Sequence, residues 1–171
     1  MTNSKITSSV QANQNDLVNS YLKFQLNQET AAVLSIKHTQ EAIIVPVESV
    51  TAMPNMPACI LGLMNWRSRI IWVIDLLRIL NLASLDNRLR QYNVIVIRVE
   101  SLLLGLVVRE IKGTTKFKPD DVCSPVGQVA SSLVPYLRGC VVQKEEILLV
   151  LDAESIVQSS MIYSEQNPLI N

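Results

Sequence analysis

A chain of 171 residues that is 49% hydrophobic but only 5% aromatic can bury an aliphatic core, as one domain or as two small domains in close contact. Its 15 basic and 15 acidic residues balance, which argues against a nucleic-acid surface and against a polybasic membrane patch. The cysteines Cys59, Cys123 and Cys140 form no CxxC pair, so the sequence predicts reduced, buried thiols and neither a disulfide framework nor a zinc site.

The two ends of the chain are polar. Residues 1–19 and 159–171 are predicted to be flexible tails, and residues 20–158 to form the folded body. The N-terminal segment lacks the apolar stretch of a secretory signal, and no run approaches the ~20 apolar residues of a membrane span. We therefore expect a cytoplasmic protein.

Within the body, short apolar runs alternate with polar turns, a pattern typical of β-hairpins. The predicted strands lie at residues 21–26, 31–36, 41–50, 59–64, 70–74, 92–99, 102–108, 137–142 and 147–151. Pro46 marks its strand as an edge strand or a bulge. The polar segment 81–91 is predicted to connect two intertwined barrel halves, roughly residues 20–90 and 91–158.

An internal repeat relates these halves. Residues 60–75 match residues 137–152 without a gap, so that Gly62 and Asp75 correspond to Gly139 and Asp152. Glycine at the start of a strand permits a bulge or a close approach of another backbone, and aspartate at its end can cap a short helix. Five apolar residues precede each aspartate, which predicts strands covered on both faces. A mainly β protein of two small barrels that cover each other satisfies this pattern.

Few residues have the types or spacing that catalysis needs. The single histidine, His38, cannot build a histidine-rich metal site, and the pair Asp120-Asp121 has no partner groups nearby in sequence. Asp75 and Asp152 could act as paired acids, although their identical contexts favour capping. Two rival readings stay open: a ligand-binding or enzymatic barrel with a polar cavity, and an oligonucleotide-binding barrel, which should carry a basic stripe with aromatics.

The tip of the predicted hairpin 59–74 is a candidate contact surface. Trp66 and Arg67 belong to the residue types most enriched at interface hot spots, and a hairpin tip projects side chains outward. An ordinary polar turn with Trp66 tucked into a barrel mouth fits the sequence equally well.

The same segment resembles the CheW family of chemotaxis coupling proteins. The matching residues are Pro54-Asn-Met-Pro57, Gly62-Leu-Met-Asn65-Trp-Arg67, Asp75-Leu76, Val94–Ile97, Leu104–Val108 and Tyr136–Asp152. Ser68 replaces the family glycine after the arginine, and Arg109 replaces an aspartate, which marks a divergent member.

The resemblance implies two SH3-like five-stranded barrels in a cytoplasmic adaptor that has no enzymatic activity and no cofactor. Such proteins bridge the cytoplasmic tip of a methyl-accepting receptor and the regulatory domain of a CheA-type histidine kinase. Gly62, Asn65 and Arg67 match the signature turn associated with coupling, and Glu41 matches a receptor-binding position. The departures suggest an array that serves pili or phototaxis rather than flagellar chemotaxis.

Overall fold

The computed structural model describes residues 17–82 and 85–159, together with the backbone of residues 163–164 and 167–168. Ten strands form the body: β1 Ser20–Gln25, β2 Ala31–Ser35, β3 Thr39–Pro46, β4 Ile60–Trp66, β5 Arg69–Asp75, β6 Gln91–Val99, β7 Leu102–Val108, β8 Glu110–Lys116, β9 Leu137–Gln143 and β10 Glu146–Leu151. The helix α1 (Leu76–Ile79) follows β5, and α2 (Ala153–Val157) follows β10. Residues 1–16 of the predicted N-terminal tail and most of residues 159–171 lie outside the described part; within the latter, β11 (Tyr163–Ser164) pairs with β12 (Asn167–Pro168).

Two five-stranded sheets of the same design account for these ten strands. Their orders are β8-β1-β2-β10-β9 and β3-β6-β7-β5-β4, each with one parallel pair, β2 with β10 and β7 with β5. The second sheet uses the continuous segment 39–108, whereas the first combines strands from both sides of that segment. The expected halves 20–90 and 91–158 are thus intertwined, and the boundary at residue 90 follows the sequence repeat rather than the sheets.

Each sheet closes into a small barrel at a seam. In the second barrel Thr51 pairs with Leu63 of β4, and in the first barrel Cys123 pairs with Cys140 of β9. A Cβ on Gly62 would lie 2.1 Å from the Thr51 carbonyl oxygen, and one on Gly139 would lie 2.5 Å from the Cys123 carbonyl oxygen. Both repeat glycines therefore permit the close backbone approach that closes a barrel.

The apolar strands divide their side chains between two environments. In β5, Ile71 and Val73 face the interior of the second barrel, while Trp72 and Ile74 face the core between the barrels. In β10, Leu148 and Val150 likewise fill the first barrel, and Leu149 and Leu151 join the central core. This confirms the mutual covering that the apolar runs predict, and each fully buried side chain contributes roughly 1.5–3 kcal/mol relative to exposure.

The first residue of each apolar run is an exception. Ile70 is 65% exposed and Ile147 is 37% exposed, so the expectation of five covered residues is wrong at both positions. They lie beside the hairpin turns, where the strand extends past the barrel that would cover it.

Asp75 and Asp152 occupy equivalent positions at the ends of β5 and β10. Asp75 Oδ1 accepts hydrogen bonds from the amides of Leu77 and Arg78 at 3.1 and 3.4 Å, and Asp152 Oδ1 accepts from the two matching amides of α2. Asp75 is 1% exposed, and burial raises the pKa of its carboxyl group above the ordinary value although the amide hydrogen bonds oppose this shift. Both aspartates are thus engaged by helix amides.

Two other features differ from expectation. The sequence does not predict the strand β8, because Glu-Ile-Lys-Gly-Thr-Thr-Lys has one large apolar residue and a glycine. Cys123 is exposed, which contradicts the expected burial of all three thiols, whereas Cys59 and Cys140 are buried. Cys123 lies in an isolated bridge outside the regular strands, and the absence of a CxxC pair carries no information about which way its side chain points.

Candidate partner-binding surface

The turn between β4 and β5 has an unusual backbone for its sequence. Arg67 and Ser68 have φ angles of +47° and +64°, which are the two left-handed central positions of a type I′ hairpin turn. Asparagine and glycine adopt this conformation most readily, so Ser68 occupies a position that favours glycine. The strands on both sides hold the turn in place and direct Arg67 into solvent, where its side chain is 66% exposed.

Glu41, Trp66 and Arg67 form a compact group, called here the tip cluster. The indole Nε1 of Trp66 donates a 2.7 Å hydrogen bond to Glu41 Oε2, and Arg67 Nε lies 3.4 Å from the same oxygen. The Arg67 guanidinium also lies over the Trp66 ring, 5.0 Å from its centroid. Because three contacts converge, the arginine is held more firmly than an isolated surface ion pair would hold it.

Trp66 lies below this surface. Its side chain is only 8% exposed and packs among the interior residues of the second barrel. Of the two interpretations that the sequence left open, the structure supports the one in which Trp66 occupies the barrel mouth. Its contribution to the surface is to position Glu41 and Arg67.

Asn65 and Gly62 lie on β4 at different depths. Asn65 is exposed beside the turn and faces Ile70 across the strand pair. Asn65 and Ile70 line a shallow depression, and its other lining residues are Ser49, Thr51, Leu63 and Met64. Gly62, by contrast, is buried beneath Thr51 at the barrel seam, where it permits closure of the barrel.

The hairpin β9–β10 provides an internal comparison. Lys144 and Glu145 have φ angles of +45° and +68°, so this turn has the same geometry as the first. Gln143 stands where the first hairpin has Trp66, and Val142 stands where it has Asn65. The tip cluster is therefore specific to the second barrel although the turn is common to both.

A groove of 340 Å³ lies at the junction of the barrels, at the lower end of the usual size range for ligand sites. Its polar lining includes Asp86, Tyr92, Asn93 and Arg109, and the Asn93 amide donates to the Arg109 carbonyl oxygen at 2.9 Å. Arg88 holds the pKa of the exposed Asp86 below its ordinary value, and burial raises that of Tyr92. These groups offer no nucleophile with an adjacent base.

The described residues contain neither a group of metal ligands nor a helix that could span a membrane. In residues 17–82 and 85–159, no three His, Cys, Asp or Glu side chains are grouped as metal ligands would be. No helix in the described part of the chain is long and apolar enough to span a membrane.

The sequence predicts most residues of this surface but neither the exposure of Ile70 nor the role of Thr51. Asn65, Trp66 and Arg67 are adjacent in the chain, and Glu41 was assigned only through the family resemblance. The apolar run predicts a covered Ile70, whereas the structure exposes it. The role of Thr51 at the seam has no signal in the sequence, since it depends on a contact with Leu63, which is twelve positions away in the chain.

Comparison with known proteins agrees with this architecture. The family model described as "CheW-like domain" matches residues 20–161. Over 149 residues the chain is 31% identical to the chemotaxis protein CheW of Treponema pallidum, which covers 84% of this chain and 85% of that protein. It is 25% identical over 147 residues to a probable chemotaxis protein CheW of Rhizobium etli, and the match covers 80% of this chain and 94% of that protein.

A solved structure shares the fold. The scaffolding protein TtCheW from Thermoanaerobacter tengcongensis superposes with a TM-score of 0.73 at 18% identity, covering 89% of this chain and 97% of that one. The expected fold class, mainly β with two SH3-like five-stranded subdomains, is confirmed.

Proposed function

The chain belongs to the CheW-like family, and from this premise we propose that it is a non-enzymatic adaptor that couples methyl-accepting chemoreceptors to a CheA-type histidine kinase. One partner is the cytoplasmic tip of the receptor, and the other is the regulatory domain of the kinase. The adaptor works in the cytoplasm and reaches the membrane array through these proteins.

The observation that carries the proposal is the tip cluster. An exposed arginine on a rigid turn, held by Glu41 and by the Trp66 ring, loses little conformational freedom when it binds a partner. Its neighbours Asn65 and Ile70 supply a polar group and exposed apolar surface beside it. Such a combination is typical of an interface centre, where arginine is enriched.

Adaptor function also requires little from the interior of the protein. Each partner contact need bury only roughly 800 Å² or less per partner, which one barrel surface supplies. Two barrels joined by a common core then hold two partners at a fixed separation. Receptor and kinase are thereby brought together without any chemical step.

Reconstitution tests this proposal. The full chain is mixed with a soluble receptor-tip fragment and with the kinase regulatory domain, and complexes are separated by size-exclusion chromatography. We expect receptor fragment and kinase domain to co-elute only when the chain is present. The proposal is wrong if the chain, with an unchanged thermal melt, binds neither partner.

The tip cluster offers a matched pair of variants for the same assay. Glu41→Gln keeps an oxygen for the Trp66 indole but removes the charge that faces Arg67, whereas Glu110→Gln removes a charge from an exposed strand position that pairs with Lys112. We expect complex formation to weaken for the first variant and not for the second. Equal behaviour of the two would remove the tip cluster from the proposed interface.

A further inference from the structure

Cys123 and Cys140 face each other across the seam of the first barrel. The Cys123 amide donates to the Cys140 carbonyl oxygen at 2.8 Å, and the Cys140 amide donates to the Cys123 carbonyl oxygen at 3.0 Å. Residues that exchange both hydrogen bonds form a directly opposed antiparallel pair with Cα atoms roughly 5.5 Å apart. Disulfides form where Cα atoms are roughly 4.4–6.8 Å apart, so the Cα spacing of such a pair lies within the required range. The Cβ atoms of a hydrogen-bonded pair are roughly 5.5 Å apart, so the bridge also requires them to approach by about 1 Å.

The two thiols differ in access. Cys123 is exposed, whereas Cys140 is 0% exposed. Burial, and then the proximity of Cys123, raises the pKa of the Cys140 thiol. A dissolved oxidant therefore reaches Cys123 first, and Cys140 is available only to a group already at the seam.

Both cysteines are reduced in this structure. Their backbone hydrogen bonds hold the two residues together at the seam. Cys123 Sγ donates to the Asp121 carbonyl oxygen and Cys140 Sγ to the Ser124 carbonyl oxygen, both at 3.8 Å. These are weak hydrogen bonds that rotation about the Cα–Cβ bond breaks at small cost. Rotation of both side chains and a small approach of the two strands would therefore convert the dithiol to the bridged form.

We propose that Cys123 and Cys140 are a disulfide modification site, oxidised by a low-molecular-weight disulfide. The Cys123 thiolate attacks one sulfur of the oxidant, which forms a mixed disulfide and releases one thiolate. The Cys140 thiolate then attacks the Cys123 sulfur, so that the protein disulfide forms and the second thiolate leaves. Overall two protein thiols become one disulfide, and the oxidant is reduced to two thiols.

The bridge joins the segment after β8 covalently to β9, at the point where the first barrel closes. The corresponding seam of the second barrel joins Thr51 and Leu63, so only one of the two barrels responds to oxidation. Closing this loop restricts the unfolded chain, and we expect the Tm to rise by roughly 5–10 °C. Because Cys123 is exposed, reductants reach the bridge and the change is reversible.

Peptide mapping of the full chain tests the site. The native protein is incubated with oxidised glutathione, remaining thiols are alkylated, and the product is digested with trypsin. Cleavage after Arg138 separates Cys123 from Cys140, so the disulfide joins two tryptic peptides that dithiothreitol releases. We expect this linked pair together with an alkylated Cys59 after unfolding, and a raised Tm that dithiothreitol reverses.

The variants Cys123→Ser and Cys59→Ser serve as a matched pair. The first changes the exposed thiol and removes the linked peptides together with the rise in Tm, whereas the second retains both. A stable glutathione adduct on Cys123 with Cys140 still reduced would overturn the proposal, as would a bridge to Cys59 or between chains. An oxidised protein with the linked peptides but no rise in Tm would contradict the proposed effect on the seam.

Discussion

Arg67 acquires its setting from residues that are far apart in the chain. Trp66 precedes it directly, but Glu41 lies on β3 and reaches both side chains across the opening of the second barrel. The exposed ion pair alone contributes little, at most about 1 kcal/mol. Its role is to limit the conformations of Arg67 rather than to stabilise the fold.

Arg67→Ala should therefore reduce partner binding without unfolding the protein. We expect a loss of about 2 kcal/mol, roughly a thirtyfold rise in Kd, for the receptor or kinase fragment measured by calorimetry. Lys144→Ala is the matched control, since Lys144 holds the same turn position in the other barrel without a tryptophan before it. If Kd and Tm are both unchanged by Arg67→Ala, the assignment of Arg67 as the anchor is wrong.

The backbone conformation of Ser68 predicts that glycine at this position would stabilise the protein. With a φ of +64° the backbone of Ser68 has a conformation that costs a non-glycine residue about 1–2 kcal/mol. Glycine avoids this cost, but part of the gain in stability is lost because glycine makes the unfolded chain more flexible. We expect Ser68→Gly to stabilise the protein by about 0.5–1 kcal/mol in urea unfolding. Glu145→Gly, at the equivalent turn position, should do the same; a lower midpoint for both variants would contradict this reading of the turns.

At the scale of single elements, the two hairpins β4–β5 and β9–β10 show how the repeat builds a barrel. Each carries, as the third residue of its first strand, a glycine over which the closing segment passes, and each ends at an aspartate that caps the next helix. The glycine permits closure and the aspartate turns the chain away from the sheet.

Gly62→Ala should be strongly destabilising, because the new Cβ would meet the Thr51 carbonyl oxygen at 2.1 Å. Gly113→Ala is the control, since Gly113 also has a positive φ, +109°, but nothing lies within 4 Å of its added Cβ. We expect about 1–2 kcal/mol for the control, from backbone strain alone, and at least about 3 kcal/mol for Gly62→Ala. Equal losses in urea unfolding would show that the close approach at the seam is unimportant.

The buried Asp75 predicts a dependence of stability on pH. Its pKa is higher in the folded protein than in the unfolded chain, because burial disfavours the carboxylate. As pH rises through the unfolded pKa, the unfolded chain releases its proton first, so the free energy of unfolding falls until pH exceeds the folded pKa.

Asp75→Asn isolates this contribution, since asparagine also caps helices but does not titrate. We expect the variant to gain stability relative to the native protein as pH rises from about 3.8, and the difference to level off above the folded pKa. Urea midpoints between pH 3.5 and 7 measure it. A constant difference across this range would mean that the folded pKa of Asp75 is not raised.

At the scale of the whole molecule, the second barrel is a continuous segment inserted into the first. Residues 39–108 contain all five strands of one sheet, whereas the other sheet needs β1 and β2 together with β8, β9 and β10. The central core then draws side chains from both sheets, among them Phe24, Ile74 and Leu149. The two barrels therefore differ in chain continuity although their sheets have one design.

Two fragments of nearly equal length test this organisation. Residues 39–108 contain a complete set of strand pairs, whereas residues 20–90 contain an incomplete set of both sheets. We expect fragment 39–108 to keep the circular-dichroism signal of β-sheet, with lower stability than the full chain because half of the central core is lost, and fragment 20–90 to lack it. The opposite result would mean that the repeat unit rather than the sheet is the unit of folding.

Much of the fold could be predicted because its signals are local. Strand periodicity, turn residues and the gap-free match of residues 60–75 with 137–152 identified a duplicated β protein whose halves cover each other. Part of the candidate partner-binding surface could be predicted for the same reason, since Asn65, Trp66 and Arg67 are contiguous in the chain. The strand β8 could not be predicted, because its stability comes from pairing with β1 rather than from its own composition.

Most strands, the repeat, the capping aspartates and the family resemblance could be read from the sequence, because each is a pattern within one short segment or between two matching segments. Which strands share a sheet, where each barrel closes and how deeply Trp66 is buried became known from the tertiary structure alone. The tertiary structure also placed Glu41 beside Arg67 and Cys123 opposite Cys140. These are contacts between distant segments, and they arise from packing and backbone pairing that no local pattern of residues records.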